Sequence, residues 1–181
     1  MSTVYVSLLN EGVPVWRPVL ATRLAEGAFR LAPTAAVPPD EEWQFRSGAF
    51  VTCEDRWLSA GVATTVAVAL DYRRTARYAI LALGAEDLWH LGNADTYLPT
   101  IPPELRHTTA HQALLELIAE GLVELRFGRM ATNSVTTVPL ERVATILQDP
   151  DAWDPTKDVG HQGYCFINTE AGDEAYRSGR V

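Results

Sequence analysis

The sequence predicts an α+β protein of two small domains, an all-β domain in residues 1–70 and a mixed domain in residues 71–181. Three observations lead to this prediction. Short segments of the first 70 residues alternate apolar and polar side chains, which is the two-residue period of a strand. Helical spacing of apolar residues begins only after the polar run that starts at Asp71. The chain of 181 residues is long enough for two small cores.

The first domain is expected to contain five or so short strands separated by turns. Val4, Val6 and Leu8 alternate with polar neighbours and form the first strand. Pro14 and Pro18 place the second strand at an edge or a bulge, because proline has no N–H to donate. Several short strands in about 70 residues are typical of a small SH3-like barrel.

Helices dominate the start of the second domain. Apolar spacing favours a helix over a strand at 75–83, and a second short helical piece is expected at 86–91. Thr109 and Gln112 form a capping-box pattern that predicts a helix start, and Gly121 is a typical C-terminal cap. The apolar period then changes from helical spacing to alternation.

The remainder of the second domain alternates between strands and helices. A strand is expected at 123–127, and a helix follows at about 139–148. An acidic loop at 149–163 leads to a strand at 164–167, and Thr169 caps a terminal helix.

One segment of the first domain matches a recognisable pattern. The run VWRPV is followed by EEWQFRSGAFVTCE, and together they span much of residues 3–70. This pattern resembles a family of small bacterial β-barrel proteins to which no activity is assigned. The resemblance implies the barrel fold and supplies no chemistry.

A second resemblance covers about residues 73–179. The segment ALLELIAEGLVELRFG, followed later by YCFINTEAGDEAY, is similar to winged-helix domains. In such domains a helix enters a strand through E-G-L-[VI], and a later strand ends in T-x-x-G before a helix. The resemblance implies a winged-helix-like fold. It leaves open the roles of transcription factor, protein–protein adaptor and toxin-neutralising immunity protein.

The sequence departs from the DNA-binding version of that fold in two places. About 36 residues separate Phe127 from Tyr164, and they carry a predicted helix and an acidic stretch where a basic wing would lie. The expected recognition helix has Arg106 beside Glu116 and Glu120. Because the commonest specific base contact is Arg or Lys to guanine, this helix is a poor major-groove reader.

Charge points in the same direction. The whole chain has a net charge of −8, and residues 71–181 hold 10 basic and 16 acidic side chains. Nucleic-acid affinity rests on neutralising phosphates, so an acidic domain better suits a basic protein partner. The first residues do not resemble a signal peptide, and no apolar run approaches bilayer length. These features predict a cytoplasmic protein without membrane contact.

Catalytic and metal chemistry is expected to be absent. His107 and His111 have the i, i+4 spacing of metal ligands, but the glutamate of an H-E-x-x-H motif is missing. Cys53 and Cys165 lie in strand patterns and outside any catalytic motif, so both are expected to be buried, reduced thiols. The sequence therefore predicts no enzyme, cofactor or bound metal.

The preferred hypothesis is a non-enzymatic protein-binding module of immunity or adaptor type. It would capture a basic partner through the acidic half, and Trp153 would serve as an aromatic anchor. The predicted partner-binding residues are Asp149, Asp151, Trp153, Asp154, Asp158, Glu116 and Glu120. A second interpretation leaves the acidic stretch as a solvated loop with Trp153 tucked against the domain.

The main alternative is a winged-helix transcriptional regulator. It would use Arg106, Arg126 and Arg129, with phosphate contacts from the cluster Arg73, Arg74 and Arg77. The preferred interpretation of that cluster is nevertheless a solvated face at the domain junction. A metal-dependent enzyme at the two histidines is a third option. The sequence does not fix the oligomeric state.

Overall fold

The computed structural model describes residues 1–58, 61–154, 156 and 162–179. The protein is a mixed α+β structure, as the sequence predicts. It divides into two compact units, Met1–Asp71 and Tyr72–Val181, one residue away from the expected boundary. No helix in the described ranges is long and apolar enough to cross a bilayer.

The first unit is a closed barrel of five strands. Neighbouring strands pair antiparallel, and a parallel contact between the first and last strands closes the barrel at Tyr5 and Val66. The strands are β1 (Ser2–Ser7), β2 (Trp16–Ala25), β3 (Ala28–Leu31), β4 (Phe50–Trp57) and β5 (Ala63–Leu70).

Alternation along these strands builds the barrel core. Val4 and Val6 on β1 are fully buried, and they pack with Val19 of β2 in one apolar cluster. Pro18 lies where β2 pairs with β1 alone, because β3 joins β2 only from Ala21 onward. The missing N–H of Pro18 therefore faces no ladder partner, which is the edge placement that proline requires.

The described residues of the second unit form six α-helices and one four-stranded sheet, which share one apolar core. The sheet is antiparallel in the order β6-β9-β7-β8. Its strands are β6 (Trp89–His90), β7 (Val123–Arg129), β8 (Ser134–Thr137) and β9 (Gly163–Asn168). The helices are α1 (Tyr72–Glu86), α2 (Asn93–Thr96), α3 (Pro103–Ala119), α4 (Leu140–Gln148), α5 (Pro150–Trp153) and α6 (Glu170–Ser178).

Helix α3 lies at the centre of this unit. Its residues Ala110, Leu114 and Leu117 are fully buried with Ile80 of α1 and Phe166 of β9. Five residues of α3 are buried on one face of the helix, which explains why the helical period is clear in the sequence. The helix supplies the surface on which α1, α2 and α4 pack.

Two expectations about helix boundaries are wrong. Helix α3 begins at Pro103, so Thr109 and Gln112 lie in its interior and form no cap. Proline at the first turn has the φ of a helix and needs no hydrogen bond there, which starts the helix earlier. The expected helical piece at 86–91 is in part the strand β6, because Trp89 and His90 pair with β9.

The segment between β7 and β9 holds more than the predicted helix. Helix α4 is present, but β8 pairs with β7 as a short hairpin before it. Asn133, in the left-handed conformation with φ of 51°, makes the turn. The segment between β7 and β9 therefore contains a strand and two α-helices, rather than one helix and a loop.

The terminal helix is confirmed, and it fits closely against the chain. The Thr169 hydroxyl accepts a hydrogen bond from the Gly172 amide at 3.1 Å, so Thr169 is the N-cap. Gly172 lies so near the Leu122 carbonyl that a Cβ at this position would overlap its oxygen. Because the neighbouring atom belongs to the backbone, it cannot move aside as the end of a flexible side chain could.

We expect Gly172→Ala to reverse the usual sign of a glycine-to-alanine change in a helix. Alanine normally stabilises a helix interior by about 0.5–1 kcal/mol. Here overlap with the Leu122 carbonyl should lower the free energy of unfolding by about 1–3 kcal/mol in urea titrations. The exposed neighbour provides the control, since Ala171→Gly should lose no more than about 1 kcal/mol. A stabilised Gly172→Ala protein would contradict the described packing of α6.

Candidate partner-binding surfaces

The helices α4 and α5, which lie between β8 and β9 and are called the insertion below, pack on the rest of the second unit. One face of α4 is buried through Val143, Ile146 and Leu147, and the helix lies against α3. The backbone of Gly92, which precedes α2, lies so close to the Trp153 carbonyl that a Cβ there would overlap it. The insertion is therefore a packed part of the unit.

Trp153 anchors the insertion from inside. Its side chain is only 6% exposed, and its Nε1 donates a hydrogen bond to the Leu147 carbonyl at 2.9 Å. Its ring meets the His107 ring edge-on, with centroids 4.5 Å apart. The expected role as an exposed aromatic anchor is wrong, because a buried indole with a satisfied N–H is a core residue. Of the two interpretations, the tucked position is the one found.

The acidic residues of the insertion have different environments. Asp149 is exposed and caps α5, accepting a hydrogen bond from the Asp151 amide at 3.0 Å. Asp154 is half-buried and accepts from the Thr156 amide and hydroxyl at 2.8 and 2.7 Å. Asp151 is exposed, whereas Asp158 lies outside the described residues. The exposed acidic residues of α4, α5 and the turn between them are Glu141, Asp149 and Asp151, and these three are called the acidic edge below.

Glu116 and Glu120 belong to an internal ion-pair network. Arg77 is 7% exposed, and its guanidinium donates to Glu116 at 3.1 Å and to Glu120 at 2.6 and 2.9 Å. Arg73 donates to Glu116 at 2.8 Å. These contacts join α1 to α3, so the two carboxylates are neutralised within the chain. Neither carboxylate is therefore a free acidic group, and Arg73 and Arg77 are paired with them.

The same contacts set the protonation of Glu120. Hydrogen bonds from Arg77 lower the pKa of its carboxyl below the usual 4.5, against an opposing effect of burial, and the charges of Arg77 and Arg73 add to the lowering. The carboxylate is therefore ionised and paired at neutral pH.

The two histidines with metal-ligand spacing have other contacts. His107 Nδ1 lies 3.1 Å from Asp95 Oδ2 on α2, and His111 Nε2 is buried without a hydrogen-bond partner. Burial lowers the pKa of His111, and the nearby His107 lowers it further. Within the described ranges, no group of three or more His, Cys, Asp or Glu side chains is placed to hold a metal.

Neither cysteine has the environment of an activated nucleophile. Both thiols are free, and Cys165 is fully buried beside the Arg126 carbonyl. Burial and the nearby Asp55 raise the pKa of Cys53 to about 11, so its thiol stays protonated at neutral pH. Cys53 borders an open polar cavity of about 400 Å³ that Arg23 and Glu26 also line.

Sequence reasoning missed one exposed aromatic residue in the barrel. Trp57 at the end of β4 is 76% exposed, and Val62 just before β5 is 63% exposed. A large exposed aromatic residue is a frequent centre of protein–protein contacts. The available signal was local, because Trp57 follows three consecutive charged residues, which is a poor pattern for a buried strand.

Comparison with protein-family models, with curated proteins and with solved structures gives no match to this chain.

The two tryptophans provide a matched test of the packing. Trp153→Ala should lower the free energy of unfolding by about 3–5 kcal/mol, because it empties a buried site and removes the hydrogen bond to Leu147. Trp57→Ala should change it by less than about 0.5 kcal/mol, because the side chain is mostly in solvent. Urea unfolding of the full chain measures both. Equal effects of the two substitutions would refute the difference in burial.

Arg77→Met should lower the free energy of unfolding at pH 7 by about 1–3 kcal/mol, since it leaves two carboxylates without their buried partner. The pKa of Glu120 is lower in the folded protein than in the unfolded chain. The pairing therefore stabilises the fold above pH 4.5, and that stabilisation is lost as the pH falls through the lowered value.

Urea titrations across the acidic range should accordingly show a weaker pH dependence in Arg77→Met than in the wild type. Arg73→Met is the control, because that side chain is 59% exposed. It should lose no more than about 1 kcal/mol. A larger loss for Arg73→Met than for Arg77→Met would contradict the network.

Proposed function

We propose that this chain is a non-enzymatic protein-binding module of immunity or adaptor type. Its second unit would bind a basic partner through the acidic edge of α4 and α5. The observation that carries the proposal is the packing of α4 on α3, the helix that a DNA-binding winged helix would use for recognition, with Trp153 against His107.

The order of elements supports a winged-helix-like assignment for the second unit. The strand β6 lies between α1 and α2, and α3 follows α2. The strands β7 and β9 come after α3, and β9 lies between β6 and β7 in the sheet. On this assignment α3 is the recognition helix, and β8, α4 and α5 are inserted at the wing. The closed five-stranded barrel of the first unit agrees with the SH3-like assignment.

The surface of α3 supports protein binding over base reading. His107 lies against Trp153, and Arg106 donates through Nε to the Ile101 carbonyl at 2.9 Å. The exposed positions Glu104, Thr108 and Gln112 carry no positive charge. A helix with this surface lacks the Arg or Lys contacts that specify guanine.

The acidic edge has features suited to a protein partner. Glu141, Asp149 and Asp151 are exposed, and Arg142 is the one basic residue of α4 and α5. Trp153 holds α5 in place, so these charges lie on a rigid support. Binding through a preorganised surface loses less conformational entropy, and charge complementarity raises the association rate and the specificity.

The DNA-binding alternative retains little support from the basic residues that the sequence suggested for it. Arg126 is paired with Glu124 at 2.9 Å, whereas Arg129 at the end of β7 is exposed. Of the other suggested arginines, Arg73 is exposed but paired with Glu116, so few of them are left for phosphate contacts.

A charge-reversal pair tests the proposal. Glu141→Lys with Asp151→Lys inverts the acidic edge and leaves the Asp149 cap intact. Glu86→Lys with Asp87→Lys makes the same charge change at exposed residues at the end of α1. We expect affinity purification from the native host, quantified by mass spectrometry, to recover one stoichiometric protein with the wild type and the α1 variant. The α4–α5 variant should lose it.

Duplex DNA provides the opposing readout. Fluorescence anisotropy with a labelled random duplex at physiological salt should show no binding by the wild type. The proposal fails if all three proteins recover the same partners in equal amounts. It also fails if the wild type binds the duplex with an affinity that falls steeply as salt is raised.

A further inference from the structure

The strand β8 forms an open edge of the sheet in the second unit. It is the last strand in the order β6-β9-β7-β8, and among the described strands it pairs with β7 alone. Ser134, Thr136 and Thr137 are exposed, and Val135 is half-buried. Among the described residues, no strand pairs with the outer side of its backbone.

The hydrogen-bond pattern shows which residues present that backbone. Val138 N donates to Leu125 O at 2.8 Å, and Thr136 lies opposite Phe127 two residues earlier. In an antiparallel pair, bonded and non-bonded positions alternate. Val135 and Thr137 are therefore the non-bonded positions, and their amides and carbonyls point away from β7.

This edge lacks the usual protection against pairing. Exposed edges are commonly blunted by charged side chains, proline, bulges or short length. No charged residue occurs from Met130 to Leu140, although 21% of the chain is charged, and the first proline is Pro139, beyond β8. Short length is the single protection that β8 retains. Its β-branched residues favour strand pairing.

We propose that β8 pairs antiparallel with β8 of a second copy of this chain, across a two-fold axis at Thr136. In this register Val135 lies opposite Thr137 of the second copy, and Thr137 lies opposite its Val135. Each of the two pairs exchanges two backbone hydrogen bonds. The two four-stranded sheets become one continuous sheet of eight strands.

The self-complementary register favours β8 of a second copy as the strand that pairs with this edge. In this register, both residues whose backbone amides and carbonyls point outward form hydrogen bonds. Shifting the axis to Thr137 would instead place Pro139, which has no amide hydrogen, opposite Val135. A two-fold interface uses the same surface on both copies, which this symmetric arrangement satisfies. Thr136 meets its own copy at a non-bonded position, where side chains approach most closely and threonines can pair.

Charge and the neighbouring aromatic residue support the same occupant. Two copies with a net charge of −8 repel each other, so they approach best where the surface carries no charge. Phe127, across the ladder from Thr136, is 39% exposed and stacks on Tyr164 with centroids 4.8 Å apart. The added strand would extend the row that contains Phe127 and Thr136, and would cover part of the exposed ring.

Disulfide trapping tests the register directly. In a Cys53→Ser background, Thr136→Cys places two thiols at a close antiparallel pair, with Cα atoms about 4.5 Å apart. Ser134→Cys, on the same strand, places its thiols about 14 Å apart in that register. We expect mild oxidation of the full chain to give covalent dimers with Thr136→Cys and none with Ser134→Cys. Equal cross-linking by both variants would overturn the proposed register.

Sedimentation velocity over a concentration series tests the association without modification. The wild type should shift from monomer to dimer as its concentration rises. Thr136→Lys sets two positive charges opposite each other and should weaken the dimer about tenfold. Thr145→Lys, at an exposed position on α4, should leave it unchanged. A wild type that stays monomeric at every concentration, or equal effects of the two lysines, would overturn the proposal. A monomeric result would leave the edge to a strand from a different protein.

Discussion

The burial of Trp153 is the contact on which the shape of the second unit depends. The indole lies under the insertion, donates to Leu147 and meets His107 on the central helix α3. The indole packs against α3 and also holds α5, with its acidic side chains, in place. Without it, α5 would be a single turn of helix attached to α4, and short isolated helices are unstable in water.

The distribution of charge follows from this packing and from Arg77. The buried guanidinium of Arg77 binds the carboxylates of Glu116 and Glu120, so much of the acidity of α3 is satisfied inside the chain. The acidity that remains exposed is carried in part by α4 and α5. The β8 edge is uncharged, so the second unit has two different surfaces, the acidic edge and the uncharged strand β8. We propose a basic partner for the first surface and an identical strand for the second.

Sequence patterns succeeded where local periodicity determines the structure. The alternating Val4 and Val6 and the helical spacing through Leu114 and Leu117 predicted a strand and a helix that the structure contains. Predictions failed where tertiary contacts decide. Trp89 and His90 become a strand because β9 is beside them, and Pro103 sets the helix start before the expected cap.

The candidate site shows the same limit. Composition identified an acidic half, but it could not tell that Glu116 and Glu120 pair with Arg77 across about 40 residues of sequence. It also could not tell whether Trp153 faces solvent, because an indole beside aspartates fits both a contact residue and a core residue. The β8 hairpin escaped notice because four residues are too few for alternation to be visible.

The most direct test of the account is the exchange behaviour of the five tryptophan indoles in an NMR spectrum of the full chain. The indole proton of Trp153 should exchange slowly with solvent and show nuclear Overhauser contacts to the His107 ring. The indole of Trp57 should exchange rapidly. Rapid exchange at Trp153 without a contact to His107 would show that the insertion does not pack on α3. That result would contradict the proposed protein-binding surface on α4 and α5.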